Sequence, residues 1–220
     1  MKNITLTFAA LLAACSSAQS AETPSKPDIN PTLEKLSGQT DTAILAGGCF
    51  WCVESDFEKL PGVYEAVSGY SGGDLQNPTY RNHGQHVEVA KITFDPSIIS
   101  YEEILDYYWR HIDPTDNGGQ FCDRGHAYIP VIYARPDQIE QANASKDRLE
   151  KTKPFSAPIR VPVLPAKTFW KAEDYHQDYY KKNPVHYNRY RKGCRRDAVI
   201  KSLWGNEKAV KANTSYGSGN

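Results

Sequence analysis

The sequence predicts an α+β fold in which a mixed, largely antiparallel sheet carries flanking helices and long loops, and three observations predict it. Segments of period two alternate with segments of helical period along the chain. Several connections between them are too short for parallel crossovers, which need a dozen or more residues, so a doubly wound sheet is disfavoured. No stretch repeats itself, which excludes a solenoid. With 220 residues, 40% hydrophobic and 24% charged, one well-packed core is expected.

Each element has a local cause. Thr42 to Ala46 is a short apolar run ending in Gly47 and Gly48, and Phe50, Val53, Phe57 and Leu60 then follow at helical spacing before Pro61. That reads as strand, glycine turn, helix. Val63 to Tyr70 alternates as a strand, and the glycines, Asn77 and Pro78 after it mark a long loop. In His86 to Phe94, Val87, Val89, Lys91 and Thr93 oppose His86, Glu88, Ala90, Ile92 and Phe94, a further strand. Ser100 with Glu103 forms a capping box before a helix through Ile104, Leu105, Tyr108 and Trp109. After the turn-rich DPTDNGGQFCDRG, Ala127 to Ala134 reads as a strand and Pro136 to about Lys151 as a polar-faced helix. Ile159 to Leu164 reads as a strand that Pro162 pushes to an edge. Glu173 to Lys182 and Asp197 to Trp204 read as short helices. The expected arrangement is a two-layer ferredoxin-like sandwich over residues 41–205.

Twenty-six basic residues balance 26 acidic ones, so no broad field recruits nucleic acid or an anionic membrane surface. The 14 Tyr and 4 Trp lie in many cases beside polar or glycine-rich segments, where they can line a pocket. Five cysteines, Cys15, Cys49, Cys52, Cys122 and Cys194, are too few and too unevenly placed for a disulfide framework in a chain of this length.

The amino-terminal segment reads as an address. Lys2 precedes an apolar run from Ile4 to Ala14, too short to span a bilayer permanently, and small polar residues follow. Leu12, Ala13, Ala14 and Cys15 resemble the bacterial lipobox, which implies a signal over residues 1–15 and a lipidated Cys15 as the mature terminus. Ser16 rather than Asp at the next position implies the outer membrane of the periplasm. Cleavage after Ser20, giving a soluble periplasmic protein, is the alternative. Residues 16–40 have the composition of a solvated tether and residues 206–220 that of a flexible tail.

Cys49 stands just after the Gly-Gly turn, at the expected first turn of a helix, where free N–H groups and the helix dipole favour a thiolate nucleophile. Gly47 and Gly48 permit an unusual turn and close approach of a substrate. Phe50 and Trp51 set an apolar pair beside the thiol, suited to a small apolar group.

The segment GGCFWCVE resembles the GCFW signature of A-type peptide methionine sulfoxide reductases. SGYSGG, NPTY, HVEV with FDP, DPTDNGGQFCDRG and EDYHQDYY recur in that family's order. The resemblance spans most of Ala43 to Tyr180. It implies reduction of the S epimer of methionine sulfoxide, free or in proteins. Cys49 would attack the sulfoxide sulfur, with Phe50 and Trp51 holding its methyl group. Glu88 would protonate the oxygen, Tyr80 and Tyr128 would lie beside it, and Asp123 would be the active-site aspartate. Tyr128 has Ala127 and Ile129 as neighbours where the family usually has Gln and Arg. Physically, cleavage of S=O needs a protonated oxygen, and a carboxyl beside aromatics can hold a proton.

The sulfenic acid left on Cys49 needs a second thiol. Cys194, in RKGCRRD, occupies the region where many relatives carry a recycling cysteine and is favoured for the first disulfide; Cys52, at Cys-x-x-Cys spacing, is its rival and a relay. Cys122 is expected to pack. No bound cofactor is implied. A thioredoxin-like reductant is the expected donor, the chain is expected to be a monomer, and membrane contact is expected only through the lipid anchor. Rival readings are a thioredoxin-type disulfide oxidoreductase on the Cys-Phe-Trp-Cys spacing, a zinc-stabilised module using Cys49, Cys52, His83 and His86, and a structural lipoprotein.

Overall fold

A computed structural model describes residues 40–205. The signal, Cys15, the tether up to residue 39 and the 206–220 tail lie outside the described residues. In order, the elements are β1 (Asp41–Ala46), α1 (Phe50–Phe57), β2 (Val63–Ser71), β3 (Val87–Phe94), α2 (Tyr101–Trp109), β4 (Gly119–Gln120) and β5 (Asp123–Arg124). There follow a 3-10 turn (His126–Tyr128), β6 (Val131–Ala134), α3 (Ile139–Thr152), β7 (Val163–Pro165), β8 (Trp170–Lys171), α4 (Tyr179–Lys182), α5 (Pro184–Gly193) and α6 (Arg196–Trp204).

The main sheet has the order β7-β6-β1-β3-β2-β8. All its pairings are antiparallel except β6 with β7, so the mixed, largely antiparallel α+β reading holds. β1 and β3 are central and pair Leu45 with Ala90 and Ala43 with Ile92. Period two then sends Ala43, Leu45, Ala90, Ile92 and Phe94 to one face. There they meet Val53 and Phe57 of α1, Ile104, Leu105 and Tyr108 of α2, and Ala142 and Leu149 of α3 in one core. Each such side chain contributes about 1.5–3 kcal/mol by leaving water. The opposite face buries Val87, Val89, Val131 and Tyr133 under Phe169 and Ala166. Glu88 has the parity of the helix-covered face.

The Ser100–Glu103 capping box forms as the sequence predicts. Three boundaries differ and one helix is additional. Residues 126–128 make a 3-10 turn and the strand begins only at Val131, because Gly125 turns at φ +105. The Ile159–Leu164 strand shrinks to Val163–Pro165, parallel to β6 at the sheet edge, since Pro162 has no N–H to donate. The helix read over Glu173–Lys182 is helical only from Tyr179, because Asp178 takes a left-handed conformation (φ 54). Helix α5 was not legible at all: its sequence, PVHYNRYRKG, buries only Tyr187 and shows no apolar stripe.

Candidate active site

The site is built where β1 runs into α1. Gly48 turns at φ +83, and a Cβ there would lie 2.6 Å from the Cβ of Gln120, so only glycine fits. Gln120 cannot yield. It is fully buried, its Nε2 donates to the carbonyls of Asp113, Asp116 and Gly119, and its Oε1 accepts from the Asp113 N–H. Cys49 becomes the N-cap of α1 and is buried, at 6% exposure.

From β3, Glu88 reaches the same point. Its Oε2 accepts the Phe50 N–H at 3.0 Å, and across the sheet it pairs with Tyr70. Burial pushes its carboxyl up to about 8, against the lowering effect of that hydrogen bond. At neutral pH Glu88 therefore holds a proton. A cavity of about 80 Å³ is lined by Cys49, Phe50, Trp51, Tyr80, Glu88, Asp123, Tyr128 and Tyr190. The structure thus brings together every residue expected beside Cys49.

The walls are fixed by the loops. Tyr80 is half exposed; its N–H donates to Glu173 Oε1 at 2.9 Å, and it lines the cavity together with Tyr128. Trp51 stacks on Tyr179, with centroids 3.7 Å apart and planes at 5°, and its Nε1 donates to His176 Nδ1 at 3.0 Å. Asp123 stands on the β4–β5 hairpin and accepts from the Tyr190 hydroxyl at 2.5 Å.

One electrostatic expectation is reversed. Cys49 sits at the helix start, yet its thiol is pushed well above the ordinary range, first by burial, then by its hydrogen bond to Cys52 and the charges of Cys52 and Glu88. The first free N–H of the helix is already taken by Glu88. Cys52, by contrast, is lowered to about 7, chiefly by the hydrogen bond from Cys49, which outweighs burial, and then by Arg196 and Arg191.

The other two thiols are also placed differently from expectation. Cys122, read as a packing residue, is disulfide-bonded to Cys194 across 72 residues, with Cα atoms 4.9 Å apart. The β4–β5 turn, with Phe121 at φ 55, presents Cys122 at its tip, and the end of α5 presents Cys194. Cys194, favoured for the first disulfide with Cys49, is therefore engaged elsewhere, whereas Cys52 touches Cys49. The zinc reading loses a ligand. His86 Nδ1 accepts the Gly73 N–H and its Nε2 meets the Leu75 carbonyl, leaving no ring nitrogen for a metal.

Sequence reasoning missed Tyr190, His176 and Arg196. His176 lies in EDYHQDYY, where the family resemblance implied no role for it. Tyr190 and Arg196 lie on or beside the unread α5, and only the Tyr187–Tyr190 spacing of one helical turn could have pointed there.

The peptide methionine sulfoxide reductase family profile matches residues 41–208. A relative from Staphylococcus aureus (strain MW2), peptide methionine sulfoxide reductase MsrA 2, is 51% identical over 172 residues, 76% of this chain and 97% of that protein. Peptide methionine sulfoxide reductase MsrA/MsrB of Vibrio cholerae is 48% identical over 187 residues, 82% of this chain; the chain spans half of that protein's length. Among solved structures, methionine sulfoxide reductase A of Corynebacterium diphtheriae aligns with a TM-score of 0.63 at 30% identity, over 67% of this chain and 77% of that one. Mxr1 from Saccharomyces cerevisiae in reduced form aligns with a TM-score of 0.63 at 26% identity, over 68% and 88%.

Proposed function

Since this chain belongs to the peptide methionine sulfoxide reductase family, and so reduces methionine sulfoxide with electrons from thiols, we propose that Cys49 is the nucleophile and that the substrate is the S epimer, free or in proteins. The single observation that carries the proposal is the shared cavity. It sets one thiol against two aromatic walls and a carboxyl that holds its proton at neutral pH.

The chemistry follows from the positions. The substrate methyl group lies against Phe50 and Trp51, and the oxygen lies between Glu88 and the hydroxyls of Tyr80 and Tyr128. Cys49 attacks the sulfur as Glu88 gives its proton to the oxygen. The S–O bond of the substrate breaks and one forms on Cys49, which leaves methionine and Cys49 sulfenic acid. Asp123 and Tyr190 close the side of the cavity and fix its shape.

Cys52 then attacks the sulfenic sulfur, releasing water and forming a Cys49–Cys52 disulfide. Its contact with Cys49 and the engagement of Cys194 with Cys122 support this order. A thioredoxin-like dithiol is the proposed final donor. The fold is read as a ferredoxin-like sandwich, supported by the βαββαβ order of β1 to β6 without the β4–β5 hairpin. For the amino terminus the proposal is a lipidated Cys15 and a periplasmic outer-membrane site, supported by the sequence Leu12 to Cys15; the mass of the mature amino-terminal peptide tests it.

Turnover of separated sulfoxide epimers tests the function. Release of methionine from the S epimer, absent in Cys49→Ser, is the expected result. Insulin reduction without sulfoxide turnover would instead identify a disulfide oxidoreductase.

A further inference from the structure

We propose that Arg196 and Arg191, two guanidinium groups on the carboxyl-terminal helices, hold Cys52 as the thiolate of the active-site pair, so that Cys52 first takes the proton of Cys49 and later resolves its sulfenic acid. This rests on the reading of Cys49 as nucleophile.

The case begins with charge balance in a buried place. Arg196 is 2% exposed and opens α6; Arg195, at φ 57, makes the sharp link from α5 that sets Arg196 beside Arg191. Arg196 donates from Nη1 to the Gly47 carbonyl at 3.0 Å and from Nη2 to the His111 carbonyl at 2.7 Å, and its guanidinium lies 4.6 Å from the Phe121 ring centre. It is thus anchored to the turn that carries Cys49. Arg191 pairs with Asp56 Oδ1 at 2.8 Å and with Asp197 at 2.6 Å.

One buried cation, Arg196, and one partly buried cation, Arg191, therefore share one buried carboxylate. Asp56 Oδ2 is 3.7 Å from Arg196 Nε, and neither atom has a hydrogen-bond partner. Asp197, 67% exposed, forks on to Arg191 through Nε and Nη2, which leaves the buried Arg196 with Asp56 alone, at 3.7 Å. His111 is held neutral by burial, its proton affinity lowered. Tyr107 and Tyr187, which also face this cluster, are both kept protonated by burial. Asp123, which Arg196 also influences, is half-buried across the cavity and bonded to Tyr190. A buried cation without an anion is costly. Cys52 lies one helical turn before Asp56, on the same side of α1, and its thiolate supplies the missing charge. The Cys52 N–H donates to the Cys49 carbonyl at 3.0 Å, so the two residues sit within one turn of each other.

The proton count closes. Cys52 thiolate accepts the Cys49 proton as Cys49 attacks, while the oxygen receives its proton from Glu88. Cys52 then passes that proton to the sulfenic oxygen and attacks Cys49 sulfur as the thiolate; the S–O bond breaks, the S–S bond forms, and water leaves. Arg191 and Arg196 act through Cys52 and are positioning residues.

The test is a pH titration of each thiol by the NMR shift of its ¹³C-labelled Cβ, on the full chain with Cys122–Cys194 oxidised. A single-turnover assay on the same samples reads methionine release and then Cys49–Cys52 disulfide formation. In the wild type Cys52 is expected to titrate near 7 and Cys49 well above it. Arg191→Gln and Arg196→Met should each raise the Cys52 midpoint by about one pH unit or more and slow disulfide formation about tenfold at pH 7. Arg196→Lys, which keeps the charge, should recover most of the loss. Arg191 is less deeply buried than Arg196, so Arg191→Gln remains informative if Arg196→Met does not fold. Cys49 titrating first, or a Cys52 midpoint unmoved in the folded variants, overturns the proposal while methionine release still depends on Cys49. Release that survives in Cys49→Ser overturns the underlying reading instead.

Discussion

The backbone N–H of Phe50 donates to Glu88 Oε2 at 3.0 Å, so the residue following the proposed nucleophile is tied directly to the proposed acid on the neighbouring strand. This bond fixes where a proton can be delivered relative to the Cys49 sulfur, and it uses the N–H that would otherwise stabilise a Cys49 thiolate.

Glu88→Gln keeps an oxygen for the Phe50 N–H and removes the acidic proton. Single-turnover methionine release should fall by about 10²–10⁴, with little change in thermal midpoint. A rate within threefold of wild type would show that the proton comes from elsewhere.

The rate of that release should follow a narrow bell in pH. It needs Cys52 deprotonated, at about 7, and Glu88 protonated, at about 8; interacting groups report values for the pair. Rapid-quench measurement from pH 5.5 to 9.5 checks this. Glu88→Gln should abolish the falling limb and leave the rising one.

Stability carries a related signature. Glu88 at about 8 and Glu54 at about 7 both lie above the ordinary carboxyl value of 4.5. Their stabilisation is fully present below that ordinary value and is lost as pH rises through 7 and 8. Scanning calorimetry should show a midpoint that falls between pH 5 and 9, and less steeply in Glu88→Gln.

Gly48→Ala places a Cβ at φ +83 and 2.6 Å from Gln120. The backbone alone costs about 1–2 kcal/mol, and the overlap with a pinned side chain adds to it. A loss of at least about 2 kcal/mol in denaturant unfolding is expected. Gly47→Ala, with its Cβ 3.0 Å from an Ile112 methyl and 3.1 Å from a Val53 methyl and no positive φ, should cost less.

Why these features were legible from residues, and others not, follows from how each is stabilised. Strand β3 shows its alternation because one face meets the helices, and the Gly-Gly turn before Cys49 leaves a local mark. The acid role of Glu88 was not local. Alternation placed it on a face, but its raised proton affinity comes from burial and from Phe50, 38 residues away. Helix α5 was invisible because its value lies in polar contacts: Tyr190 to Asp123 and Arg191 to Asp56. No hydrophobic period encodes such contacts. The Cys122–Cys194 bond is likewise a product of a hairpin tip meeting a helix end, and pairing cannot be deduced from spacing.

That bond closes a long loop, and the chain-entropy estimate for 72 residues is about 4 kcal/mol. Cys122→Ser should therefore lower the unfolding free energy by roughly 2–4 kcal/mol. Denaturant unfolding of wild type and variant, with and without reductant, checks it; the reductant should destabilise only the wild type.

The most direct measurement is single-turnover release of methionine from each sulfoxide epimer by Cys49→Ser, Cys52→Ser and wild type. The account predicts one methionine per chain from the S epimer in Cys52→Ser, released more slowly than by the wild type because the proton acceptor is gone and with no Cys49–Cys52 disulfide formed, and none in Cys49→Ser. Methionine released by Cys49→Ser at the wild-type rate would contradict it.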